Sequence, residues 1–100
     1  MGLVINQIEY YLPEKVITNA DLAKENPDWD IEKIENKSGI KSRHIADPDQ
    51  TSLDLAIKAI EKVLTAGFIT KDQIQAIVFC TQSPDYIMPS NSFLIHKYFN

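Results

Sequence analysis

Apolar and polar positions along the chain follow two periods, and the switches between them predict the elements. Residues 2–12 carry β-branched and aromatic side chains and end at Pro13. Val4, Ile8, Tyr10 and Leu12 share one parity, which predicts a strand with one buried face. Thr18-Asn19 precedes Ala20–Lys24, a short helix with Asn19 as its expected N-cap, closed before Pro27. A second helix is predicted from about Asp30 to Lys37, capped by Asp30, striped by Ile31 and Ile34, and stopped by Gly39. Residues 40–46 read as a short strand or an extended loop.

The strongest periodicity lies at 51–66. Leu53, Ala56, Ile57, Ile60, Val63 and Leu64 fall on one helical face, while Asp54, Lys58, Glu61 and Lys62 stay outside. Thr51 with Asp54 is a weaker form of the capping box, and Gly67 is the stop. Ile74–Cys80 is apolar from Ala76 onward without interruption. Such a run, bounded by polar residues, predicts a strand buried on both faces, as in a parallel sheet covered by helices. A polar loop at 81–90 follows, and Pro89-Ser90 opens a last helix holding Phe93, Leu94 and Tyr98.

This order predicts an α/β layout with a right-handed crossover between its main parallel strands. Two main strands make a thin sheet, and the chain ends at Lys97–Asn100 without a helix stop signal. Both features lead to the expectation of an amino-terminal fragment of a longer protein, with no internal domain boundary over 1–100.

Composition narrows the classes. The 100 residues are 44% hydrophobic and 24% charged, which is globular rather than disordered. The net charge of −4 argues against nucleic acid as a partner, which calls for a concentrated basic face. No run approaches the roughly 18–20 consecutive apolar residues of a membrane span. The start, Met1–Asn6, lacks the basic and apolar pattern of a secretion signal, and the lone Cys80 cannot form an internal disulfide. A cytoplasmic protein is expected.

Chemistry-bearing motifs are few. There is no glycine-rich phosphate loop. His44 and His96 lie far apart, and neither belongs to a cluster of ligand spacing, so no metal is expected. Cys80 reads as a small core residue of its buried strand. Asp47-Pro48-Asp49 reads as a turn leading into the helix cap. The segment 29–44 is richer: Trp29, Lys33, Lys37, Lys41 and Arg43 set an aromatic near four positive charges in an acidic chain. Aromatic faces stack on purines and cations hold phosphates, so the set suits a nucleotide-like ligand such as coenzyme A. A half-buried Trp beside solvated lysines is the alternative reading.

Three stretches together carry a family likeness: YYLPEKVITNADLA, KSGIKSRHIADPDQTSLDLAIKAIEKVLTAGF and IVFCTQSPDYIMPSNSFLIHKYF. In order and spacing they resemble the amino-terminal part of 3-oxoacyl-[acyl-carrier-protein] synthase III, the condensing enzyme that starts bacterial fatty-acid synthesis. The resemblance implies a thiolase-like layered sandwich: two similar α/β halves, each a mixed sheet with helices on its faces, in a homodimer of subunits about three times this length. This chain would be most of the first half. The implied reaction uses a cysteine thiolate that takes an acyl group from acyl-CoA. Decarboxylation of malonyl-acyl-carrier protein then yields a carbanion that attacks the enzyme thioester. The implied Cys, His and Asn all lie beyond residue 100, Cys80 is not that nucleophile, and no cofactor is implied beyond acyl-CoA as substrate.

The resemblance also implies binding residues. Lys37, ahead of Ser38-Gly39-Ile40, matches an Arg that holds coenzyme A phosphates; Lys keeps the charge and loses the bidentate fork. Trp29 lies about four residues upstream of the family's adenine-stacking Trp, on a lengthened 28–37 segment. Arg43 reads as a structural ion pair. Met88, before Pro89-Ser90, matches the position that reaches into the partner subunit's acyl pocket and limits chain length; a Met filling its own core is the alternative. The sequence also fits two rival functions. One is a related acyltransferase of the same fold, such as a 3-hydroxy-3-methylglutaryl-CoA synthase or a secondary-metabolite enzyme. The other is a stand-alone, non-catalytic α/β interaction module.

Overall fold

Side chains of threonine and aspartate fix the starts of the first three helices. The structure, a computed structural model, describes residues 2–100. Strand β1, Lys15–Thr18, runs directly into helix α1, Asn19–Glu25. The cap of α1 is Thr18, not Asn19. Thr18 Oγ1 accepts from the Asp21 amide, and Asp21 Oδ2 accepts in turn from the Thr18 amide at 3.0 Å, a reciprocal box. Asn19 is buried and its amide is used elsewhere. Helix α2, Ile31–Ser38, starts on Asp30, whose carboxylate accepts from the Lys33 amide at 2.9 Å, and stops at Gly39 with φ 70°. Strand β2, Ser42–Ile45, resolves the ambiguity at 40–46. It pairs antiparallel with β1, Lys15 opposite Ile45 and Thr18 opposite Ser42.

Helix α3, Ser52–Thr65, fills the predicted 51–66 window, with Thr51 and Asp54 forming a full capping box. Gly67 takes φ 78° beyond its end. A 3-10 turn at Lys71–Gln73 follows, and helix α4, Asn91–Phe99, begins after Ser90 as its N-cap. The chain divides into two compact units. Leu12–Asp49 holds β1, α1, α2 and β2; the residues up to Tyr11 together with Gln50–Asn100 hold α3 and α4. In the latter unit Ile57 of α3 and Ile95 of α4 are buried.

Two predicted strands are absent. Residues 2–12 form no ladder, and the expected inward face is open: Val4, Ile8, Tyr10 and Leu12 are all exposed. Ile74–Cys80 is likewise irregular, with Val78 94% exposed. The physical reason is common to both. A strand exists only where a neighbour takes up its N–H and C=O groups, and among the described residues the sole ladder is β1–β2. No parallel pair, and hence no crossover, forms there. Cys80 is therefore exposed rather than a core residue.

Candidate functional site

In the Leu12–Asp49 unit, α2 carries the residues singled out in the sequence. Trp29 precedes it in a bend, 52% exposed, its amide donating to the Asn26 carbonyl at 3.0 Å. The lengthened 28–37 segment is thus partly a turn that precedes the helix. Lys37 stands exposed in the last turn of α2, where a cation also complements the helix dipole. The eight residues of α2 rise about 12 Å, which separates the Trp29 end from the Lys37 end along the helix axis. The two ion pairs among the described residues, Lys24–Asp21 and Lys58–Glu61, leave Lys37 out.

Behind this face a buried amide holds the unit together. Asn19 Nδ2 donates to Glu35 Oε2 at 2.8 Å and to the Ile40 carbonyl at 2.9 Å. Its Oδ1 accepts from Arg43 Nη2 at 2.7 Å, and Arg43 Nη1 lies 3.4 Å from the Ile17 carbonyl. Asn19 thus links α1, α2 and β2 with three of its four hydrogen-bonding positions filled. The ion pair expected of Arg43 does not form among the described residues: its partners are an amide and a carbonyl, not a carboxylate. Its charge is one link removed from Glu35. His44 Nδ1 donates to the Pro13 carbonyl, which fixes that ring nitrogen as the protonated one. Asp47-Pro48-Asp49 contains a turn.

In the other unit, Met88 stands exposed in the 81–90 loop and does not fill its own core. The loop is anchored by a cluster that the sequence reading missed. Asp85 Oδ1 accepts from the Leu53 amide at 3.2 Å and from Asn91 Nδ2 at 3.0 Å, with the Ser52 hydroxyl 3.2 Å away. Burial pushes the Asp85 carboxyl pKa up, but donors from Thr51, Asn91, the Leu53 amide and Ser52 outweigh it and hold it below the ordinary value. The signal available in the sequence was an Asp and an Asn six residues apart, flanking a proline-containing loop.

An open apolar cavity of about 940 Å³ lies between α3, α4 and the 74–79 segment, lined in part by Ile60, Val63, Ile77, Phe79, Phe93 and Phe99. Lys62 sits elsewhere on α3. It donates to the Tyr10 carbonyl at 2.9 Å, with its ammonium 5.3 Å from the Tyr10 ring centre and 5.8 Å from that of Tyr11. Among the described residues there is no group of three or more His, Cys, Asp or Glu placed to hold a metal ion, and no helix is long and apolar enough to cross a membrane.

An antiparallel β1–β2 pair joined through two capped helices, then α3 and α4 flanking an apolar segment, is the amino-terminal piece of a thiolase-like fold. A crystal structure of 3-oxoacyl-(acyl-carrier-protein) synthase III superimposes with a TM-score of 0.86 at 41% identity, over 95% of this chain and 28% of that one. The synthase III from Thermus thermophilus gives 0.82 at 34% identity, over 92% of this chain and 28% of that one. The particular protein that the chain resembles in sequence is the same. Beta-ketoacyl-[acyl-carrier-protein] synthase III of Chlamydia muridarum is 48% identical over 88 residues, 88% of this chain and 27% of the relative. No protein-family model matches the chain. The resemblance read from the sequence is borne out, and the chain spans about a quarter of the length of the curated relatives it matches.

Proposed function

We propose that this chain is the amino-terminal portion of a 3-oxoacyl-[acyl-carrier-protein] synthase III, an acyltransferase that joins an acyl-CoA primer to malonyl-acyl-carrier protein. The observation that carries the reading is agreement between sequence and backbone: 48% identity to one synthase III, and a TM-score of 0.86 to another, each over nearly the whole chain. In the proposed reaction a cysteine thiolate outside this chain attacks the acyl-CoA carbonyl and releases the coenzyme A thiolate. Malonyl-acyl-carrier protein then loses carbon dioxide, and the carbanion displaces the cysteine to form the 3-oxoacyl product. A His and an Asn, also outside this chain, stabilise the oxyanion of the thioester.

Within the chain, Trp29 stacks on the adenine and Lys37 holds the phosphates at the two ends of α2. Met88 reaches into the acyl pocket of a partner subunit in a homodimer. Its exposure supports that role, since its side chain is free to enter another surface. A cytoplasmic setting is part of the same proposal. The experiment is condensation by the full-length protein, with acyl-CoA and malonyl-acyl-carrier protein supplied and the product followed by mass spectrometry. A 3-oxoacyl-acyl-carrier protein is expected. Lys37 in place of the family's Arg, and the turn at 27–29, favour one second reading, a sister acyltransferase with a different condensation. A product retaining the carboxyl carbon, or one built from two acyl-CoA molecules, would replace synthase III with it.

A further inference from the structure

The tip of the 81–90 loop presents Tyr86, Ile87 and Met88 at 60%, 97% and 83% exposure, so burial of these side chains does not fix its shape. Hydrogen bonds at its base do. Asp85 and Asn91 bracket the five residues between them. The Asp85 amide donates to Asn91 Oδ1 at 3.1 Å, and Asn91 Nδ2 donates back to Asp85 Oδ1 at 3.0 Å. The two side chains therefore close a ring across the loop. Asn91 is only 3% exposed and uses its other amide hydrogen on Ser52 Oγ at 3.2 Å. Ser52 Oγ lies 2.9 Å from the Ser83 carbonyl and 3.2 Å from Asp85 Oδ1, so one hydroxyl proton is divided between them. The Leu53 amide, in the first turn of α3, completes the clasp. That amide has no partner within its own helix, so the carboxylate satisfies a donor that would otherwise need water.

The clasp ties both ends of the loop to two rigid helices, at the first turn of α3 and the first residue of α4. Met88 lies three residues from each of its two poles. We propose that Asp85 and Asn91 are positioning residues that fix the Met88 tip and thereby set the acyl-chain selectivity of the enzyme. The inference rests on the proposed role of Met88 and extends it to residues that touch no substrate. Long side chains reach a pocket in a defined pose only when their backbone is held, and a loosened tip withdraws the block that Met88 imposes.

The test is the ratio of kcat/KM for hexanoyl-CoA over acetyl-CoA in the full-length protein. Met88→Ala should raise it about tenfold, Asp85→Ala should raise it several-fold, and the double variant should not exceed Met88→Ala by more than about twofold, because the two act on one element. Asp85→Asn keeps one acceptor oxygen and should fall between wild type and Asp85→Ala. It also decides the matter if the alanine variant does not fold. An unmoved ratio in both Asp85 variants beside a raised one in Met88→Ala overturns the positioning role alone. So do fully additive effects, which would place Asp85 and Met88 in separate elements. An unmoved ratio in Met88→Ala overturns the underlying role of Met88. In that case, unchanged hydrogen exchange of the 86–88 amides in Asp85→Ala overturns the clasp as well.

Discussion

Single side chains decide more than their bulk suggests. Asn19 illustrates it: placed by the sequence as a cap, it is buried instead and uses its amide to bind α2 and β2, while the hydroxyl one residue earlier does the capping. Thr and Asn are both good caps, so local chemistry did not distinguish them; only the tertiary position of the amide does. Lys37 stands at the opposite pole, exposed and outside the ion pairs. If Lys37 holds phosphate as proposed, Lys37→Ala should raise the KM for acyl-CoA several-fold and change kcat less than about twofold, because a contact held equally in ground and transition states contributes binding alone. Steady-state kinetics at varied acyl-CoA check it. Asp21 makes a prediction with a sign. Hydrogen bonds from the Thr18 side chain and then its backbone hold its carboxyl below the ordinary 3.8. A lowered folded value means that the stabilisation is present above the unfolded pKa and is lost as pH falls through the folded one. Asp21→Asn should therefore flatten the fall in stability below about pH 4, and denaturant titrations across pH 2–6 measure that slope.

At the scale of elements, the helices are legible in the sequence and the strands mostly are not; 40–46 reads as strand or loop, and β2 forms there. Helix α3 declares itself through a 3.6-residue stripe and a Thr-Asp box, and α2 through Asp30 and Gly39; both signals are local, and both held. Strands depend on partners distant in sequence. The 2–12 and 74–80 runs have strand-like patterns, yet no neighbour among the described residues completes them, whereas the modest Lys15–Thr18 run forms a strand because Ser42–Ile45 lies beside it. Only the six-residue spacing of Asp85 and Asn91 is legible in the sequence; their bonds to Ser52 and Leu53 are not, since these need α3 and α4 brought together. Gly39 offers a check on an element boundary. With φ 70° and nothing within 4 Å of an added Cβ, Gly39→Ala should cost only the left-handed backbone penalty, about 1 kcal/mol, with no steric term. A loss above about 3 kcal/mol in chemical denaturation would mean that the glycine does more than end α2.

Taken whole, the chain has little core of its own. Ile57, Ile95 and Pro13 are the buried apolar side chains among the described residues, while Val78, Ile87 and Leu3 stand almost fully in water. An apolar cavity of about 940 Å³ opens along α3, α4 and the 74–79 segment. Apolar surface of that extent drives association. The 100-residue chain by itself should bind a hydrophobic dye and show concentration-dependent size in light scattering. A monodisperse, dye-silent monomer would mean that those surfaces are covered some other way. The central claim, that this chain is the amino-terminal portion of a cysteine-dependent condensing enzyme and does not hold its nucleophile, is tested most directly by intact mass after incubation with acyl-CoA. The account predicts one added acyl group on the full-length protein, on a cysteine other than Cys80, and none on the 100-residue chain. Acylation of Cys80, or a full-length protein that takes up no acyl group, would contradict it.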